Sequence, residues 1–209
     1  MDKRSLIKAI VAAPLAIGLD RVNAQGSPFK IGLLAPMTGP FASTGRQMEA
    51  AARLYMKQHG TSVSGRNIEL ILKDDTGVPD VTKRFAQELL INDKVDVLAG
   101  FGLTPLALAT APLATQAKTP MVNMLAATSA VIDASPYMVR VSMTLPQITL
   151  GIADWAPNNG IKKAVTLVSD YGPGLDAERT FKDRFLLNGG QILDSLRVPL
   201  RSADFSPFL

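Results

Sequence analysis

Along this chain the apolar positions switch repeatedly between a strand-like and a helix-like period. Residues 30–35 end in a short apolar run with Ile31, Leu33, Leu34 and Ala35, which predicts a buried strand. A turn cluster with Pro36, Gly39 and Pro40 closes it. Residues 46–58 place Met48, Ala51, Ala52, Tyr55 and Met56 at helical spacing, and Gly60 sits where a helix stops. Residues 67–73 read as a second strand, with Ile68, Leu70 and Leu72 on one face. A helix opens at Pro79 and runs to about residue 91 with Val81, Phe85 and Leu89 on one side. A third strand over 95–99, a helix over 105–116 that Pro112 can kink, and a fourth strand over 120–124 follow. Residues 137–143 are extended. A second series then begins, with a helix over 146–157, a strand over 164–169, a helix over 174–187 and a strand over 192–198. Strand–helix alternation at this spacing predicts βαβ crossovers and an α/β fold with a parallel sheet. Ligands of such sheets meet the loops at the carboxyl ends of the strands.

The pattern divides the chain into three parts. Residues 1–24 carry a basic start with Lys3, Arg4 and Lys8, then a short apolar core over 9–19, then small residues before Gln25. That is the three-part pattern of a cleavable signal peptide, and its core is too short to span a bilayer. Residues 25–143 form a first α/β lobe, and residues 144–209 an incomplete second one. The second series stops with residues 204–209, which look like the start of an amphipathic helix without a body. The expectation is a fragment of a longer protein. Residues 97–117 carry no charge, but Gly100, Gly102, Pro105 and Pro112 interrupt them, which favours a buried strand, turn and helix over a membrane span.

Charge and composition narrow the function classes. The net charge is +4, of which the leader supplies about half, leaving no concentrated basic face for nucleic acid. The absence of cysteine excludes disulfides, thiolate metal sites and lipid attachment through cysteine, so export would give a soluble product. A single histidine, His59, excludes a multi-histidine metal site, and at a helix end it reads as a solvated residue meeting the dipole. No phosphate-binding glycine loop and no nucleophile elbow are present, and Gly100 with Gly102 lacks the third glycine of a dinucleotide fingerprint. Adjacent Asp74 and Asp75 point to opposite faces of a strand end and read as turn residues. No catalytic set, metal site or cofactor loop assembles, so the chain does not read as an enzyme.

Three strand ends carry candidate binding chemistry. Thr104 followed by Pro105 reads as an N-cap and first helical residue, so the amides and dipole beyond them offer an anion site for a carboxylate. The plainer alternative is that Thr104 only caps its helix. The small run Ala126, Ala127, Thr128 and Ser129 lets a ligand approach the backbone and adds a hydroxyl, with an ordinary turn as the alternative. Tyr171, after the predicted strand over 164–169, is either an aromatic wall or a loop tyrosine.

Residues 31–40 (IGLLAPMTGP), 65–69 (GRNIE), 72–75 (LKDD) and 169–174 (SDYGPG) together resemble the branched-chain amino acid (Leu/Ile/Val) binding family of ABC-importer solute-binding proteins. The resemblance covers residues 29–209. It implies a type I periplasmic binding protein fold, with the first parallel-sheet lobe complete and the second only partly present. It also implies a monomer in the periplasm that needs no cofactor or metal. The partners would be an inner-membrane ABC permease and an amino acid or similar small carboxylated solute; amino acids, amides, short carboxylates and aromatic acids all fit a carboxylate clamp. By the same resemblance Thr104 and Thr128 meet the ligand carboxylate, and Ala126 offers its carbonyl to an ammonium. Tyr171 closes from the second lobe, and Thr44 stands where many relatives carry an aromatic. Two alternatives remain: an extracytoplasmic sensor domain, and an inactive piece of the binding protein.

Overall fold

The computed structural model describes residues 26–202 and 204–208; the expected signal peptide over 1–24 lies outside them. The chain folds in the order β1 (Gly26–Ala35), α1 (Ala42–His59), β2 (Ser62–Val63), β3 (Arg66–Asp74), α2 (Pro79–Glu88), β4 (Val97–Gly100), α3 (Thr104–Ala117), β5 (Met121–Asn123) and β6 (Met138–Arg140). Then come α4 (Leu145–Asn158), β7 (Lys163–Ser169), α5 (Gly172–Leu187) and β8 (Gln191–Val198). Single π and 3₁₀ turns over Leu89–Asp93, Ser129–Ala134 and Ser206–Phe208 join or end these elements.

Six strands form one sheet in the order β2-β3-β1-β4-β5-β6, all parallel except the two-residue β2 at the edge. Chain order reverses about β1, which pairs with β3 on one side and β4 on the other. The crevice above that reversal is where a doubly wound sheet admits a ligand. Leu33 and Leu34 are both buried although they point to opposite faces. Leu34 joins Leu98, Met121, Phe101 and the apolar sides of α2 and α3 in the larger core cluster. Leu33 joins Ala35, Ala99 and Met48 of α1 in the smaller one. A strand buried on both faces has to be an unbroken apolar run, which is what made residues 31–35 legible as a strand.

The last two strands, β7 and β8, form a separate parallel pair. Helix α5 lies against it through Phe185, Pro173 and Glu178, all buried. The Glu178 carboxylate pairs with Arg197 of β8 at 2.7 Å and Lys182 at 3.1 Å. Arg184 of α5 and Asn188, which caps its C-terminus, both reach Asp154 of α4, joining the two helices.

One boundary is corrected and two short elements are added. The helix expected from residue 46 begins at Ala42, because the turn at Gly39 to Phe41 already feeds hydrogen bonds into it. The antiparallel β2 was not expected; two exposed residues carry no periodic signal. The terminal amphipathic helix is a single 3₁₀ turn over Ser206–Phe208.

Candidate ligand-binding site

The exit of β4 sets the geometry. Gly100 has φ near 119°, and a Cβ there would lie 1.9 Å from the Leu34 carbonyl oxygen, so only glycine lets the chain leave the sheet this close to β1. Phe101 then donates to Leu34 O and accepts from Ala126 N, which ties the exit loops of β4 and β5 together. Asn123, fully buried at the end of β5, shapes the second loop. Its Oδ1 accepts from the N–H groups of Leu125 and Ala126, and its Nδ2 donates to Ala126 O at 2.8 Å.

These loops, the stretch after β6 and the start of α5 enclose a cavity of about 380 Å³. Its walls are mostly apolar, with Leu103, Leu125 and Met143 from the loops of the six-stranded part, Leu145 and Ile148 from α4, and Tyr171 and Pro173 from the start of α5. Thr104 and Ser142 bring hydroxyl groups to the wall. The Thr104 hydroxyl lies 2.8 Å from that of Thr128, which sets the polar end of the cavity at the amino end of α3. Either hydroxyl can donate in this pair, so one O–H remains to be directed at an acceptor while the helix dipole favours negative charge there.

Helix α5 closes on this corner. A Cβ on Gly172 would lie 2.5 Å from Thr128 Oγ1, so the first turn of α5 approaches the hydroxyl pair only because that residue is glycine. Burial of Tyr171 pushes its phenol pKa up, so the ring presents a neutral hydroxyl.

The structure brings four of the five expected residues to this corner and refines their parts. Thr104 is the first helical residue rather than the N-cap; extended Leu103 holds the cap position, without a side-chain cap bond. Thr104 and Pro105 thus each stand one position later than expected, with Pro105 at the second helical position. Freed from capping, the Thr104 hydroxyl turns to Thr128. Thr128 stands behind the wall through that contact. Ala126 lines the cavity, but its carbonyl already accepts from Asn123, which leaves one lone pair for a ligand. Tyr171 is in the wall. Thr44 is not among the lining residues; it sits in the first turn of α1, with its N–H bonded to Phe41 O.

Sequence reasoning missed Met143, Leu145 and Ile148, the apolar wall contributed by the passage into α4. Met143 ends the extended stretch and Leu145 precedes the helix expected there, and Ile148 on that helix reads equally as core. Asp74 and Asp75 are turn residues, as expected. Asp74 accepts from Met37 N, Thr38 Oγ1 and Thr76 N. Burial pushes its carboxyl up, but those bonds together outweigh it and hold the group below its usual range. Asp75 is fully buried, accepts only from Gly77 N, and burial raises its carboxyl to about 6, with the charge of Asp74 adding to the shift. Among the described residues no three His, Cys, Asp or Glu side chains gather to hold a metal ion, and no helix is long and apolar enough to cross a membrane.

Comparison with known proteins adds an independent line. Residues 28–209 match the family model described as periplasmic binding protein. A Leu/Ile/Val-binding protein homolog from Brucella abortus (strain 2308) is 40% identical over 205 residues, 97% of this chain and 53% of its own length. The solute-binding protein of an ABC transporter from Rhodopseudomonas palustris BisB5, solved with 3,4-dihydroxybenzoic acid, is 57% identical with a TM-score of 0.84. That match covers 87% of this chain and 50% of the other. A solute-binding protein from Rhodopseudomonas palustris HaA2, solved with p-hydroxybenzoic acid, is 41% identical with a TM-score of 0.83 over the same shares. The chain spans about half the length of these relatives. Since two of them hold benzoates, the fold and its relatives do not restrict the ligand to amino acids.

Proposed function

The chain belongs to the periplasmic binding protein family, and from that premise we propose that it captures an aromatic carboxylate for an ABC importer. Family members bind solutes and are not enzymes, which agrees with the absence of an assembled catalytic set in the sequence. The observation that carries the ligand class is the shape of the cavity. A hydroxyl pair at the amino end of α3 faces a wall of leucine, isoleucine, methionine and tyrosine side chains. A flat ring fits the apolar wall, and its carboxylate fits the hydroxyl and helix end. The benzoates held by the two Rhodopseudomonas relatives support the same reading. In it, the Thr104 hydroxyl binds the carboxylate, Thr128 orients that hydroxyl from behind the wall, Ala126 and Tyr171 shape the ring pocket, and Thr44 stands aside. Residues 25–143 are the first lobe, and residues 144–209 contribute the opening of a second. The leader directs export to the periplasm, where the occupied monomer delivers its solute to a membrane permease. The Leu/Ile/Val name of the Brucella relative supports a second reading, an aliphatic amino acid in the same pocket.

A thermal-shift comparison tests the chemistry. Ligand that binds only the folded state stabilises it by RT ln(1 + [L]/Kd) and so raises the melting temperature. 4-Hydroxybenzoate is expected to raise it, while 4-hydroxybenzamide, which lacks the anionic charge, is not. Equal shifts from acid and amide would remove the carboxylate clamp from the account.

A further inference from the structure

One contact crosses from the two-stranded part to the ligand-facing loop. Asp176, in the second turn of α5, accepts a hydrogen bond from Ser129 N at 2.7 Å through Oδ2. Its other oxygen accepts from Arg179 at 3.1 Å. Ser129 opens the 3₁₀ turn Ser129–Ala134, so its N–H is one of the donors such a turn leaves unpaired, and no side chain of the turn's own N-cap satisfies it. Ser129 follows Thr128, whose hydroxyl touches Thr104 in the cavity corner. On the other side of the same two residues, Arg140 at the end of β6 donates to the carbonyls of Thr128 and Ser129 at 2.5 and 3.0 Å. The peptide that carries the cavity's polar end is thus held by a cation from one sheet and an anion from the other part. Arg140 also gives that anion a second reason to dock. Its Nε and Nη1 are buried without partners among the described residues. Burial lowers the Arg140 pKa, and the negative charge of Asp176, followed by that of Asp133, opposes this.

We propose that Asp176 is a positioning residue that clamps α5 onto the Thr128–Ser129 peptide, so that closure of the site and the placement of its hydroxyl pair are one event. The proposal rests on the solute-binding reading. Asp176 does not line the cavity and touches no ligand. It acts by holding Tyr171, Gly172 and Pro173 over the corner. Ligand seated between the hydroxyl pair and Tyr171 would then stay bound as long as the clamp holds. Loss of the clamp therefore appears in the rate of release and leaves the rate of capture nearly unchanged.

The test uses the mature protein at its full natural length and two variants, Asp176→Ala and Asp176→Asn. Release of 3,4-dihydroxybenzoate is followed by stopped-flow displacement, and exchange of the Ser129 amide hydrogen is followed without ligand. Loss of a charge-assisted hydrogen bond corresponds to about a tenfold faster release in the alanine variant. The asparagine variant, whose amide oxygen can still accept from Ser129, recovers most of this. Ser129 exchange is expected to speed up about tenfold in the alanine variant alone. Release and exchange that match the wild type in the alanine variant would overturn the clamp, whereas the ligand assignment would survive. Should the wild type bind no aromatic carboxylate, the ligand reading fails, and the clamp is judged by the Ser129 exchange alone.

Discussion

At the residue scale, the account turns on two hydroxyl groups and one missing methyl. Thr104 and Thr128 share a hydrogen bond at 2.8 Å, and Gly172 leaves just enough room beside them. Thr104→Ala removes a hydroxyl while keeping the helix start, so calorimetric titration with 4-hydroxybenzoate should show affinity lower by about ten- to a hundredfold, with Thr104→Ser close to wild type. Gly172→Ala puts a Cβ in conflict with Thr128 and should weaken binding by about tenfold or more, without a matching loss in melting temperature. A larger drop in stability than in affinity would show that the glycine serves the fold first. Asp75 gives a pH signature of a different kind. Its folded pKa near 6 lies above the unfolded value of about 3.9. The folded state therefore binds the proton more tightly, and this group's contribution to stability falls as pH rises through that window and is flat on either side. Urea unfolding of wild type and Asp75→Asn should show a difference between them that changes between about pH 4 and 6 and is constant above it. A difference independent of pH would contradict the raised pKa.

Elements position these residues, and here the sequence was legible to different depths. The strands β1, β3, β4 and β5 and the helices between them could be read from residues such as Leu33, Leu34 and Leu98, because a sheet covered on both faces needs unbroken apolar runs. Thr104, Ala126 and Tyr171 could be placed at strand ends for the same reason. What could not be read was set by tertiary contacts. The shift of Thr104 from cap to first helical residue depends on the extended conformation of Leu103, and the loss of one Ala126 lone pair depends on Asn123 folding back beneath it. Thr44 matched by order along the chain, yet the site is set by packing in space, and the walls came from α4 and α5 instead. The exit of β4 is the element on which the rest depends. Gly100→Ala meets both a positive φ and a carbonyl 1.9 Å away, so guanidinium unfolding should show a loss on the order of 3 kcal/mol and no measurable ligand binding.

On the scale of the whole molecule, the cavity exists only because two sheets meet. The six-stranded part supplies the hydroxyl pair and the loop residues Leu103 and Leu125, α4 supplies Leu145 and Ile148, and the start of α5 supplies Tyr171, Pro173 and the Asp176 contact. A second bond, from Arg201 to Gly77 O at 2.7 Å, also joins the two parts. On the solute-binding reading proposed above, closure around a ligand would be a shift between arrangements of the two parts, and a ligand could drive it only by contacting both. Such a site rewards a solute with an anionic end for one part and a flat apolar body for the other. Isothermal titration calorimetry of the mature full-length protein with 3,4-dihydroxybenzoate, and separately with leucine, tests this most directly. The account predicts saturable binding of the benzoate, at least about a hundredfold tighter than leucine. Saturable binding of leucine with no heat from the benzoate would contradict it.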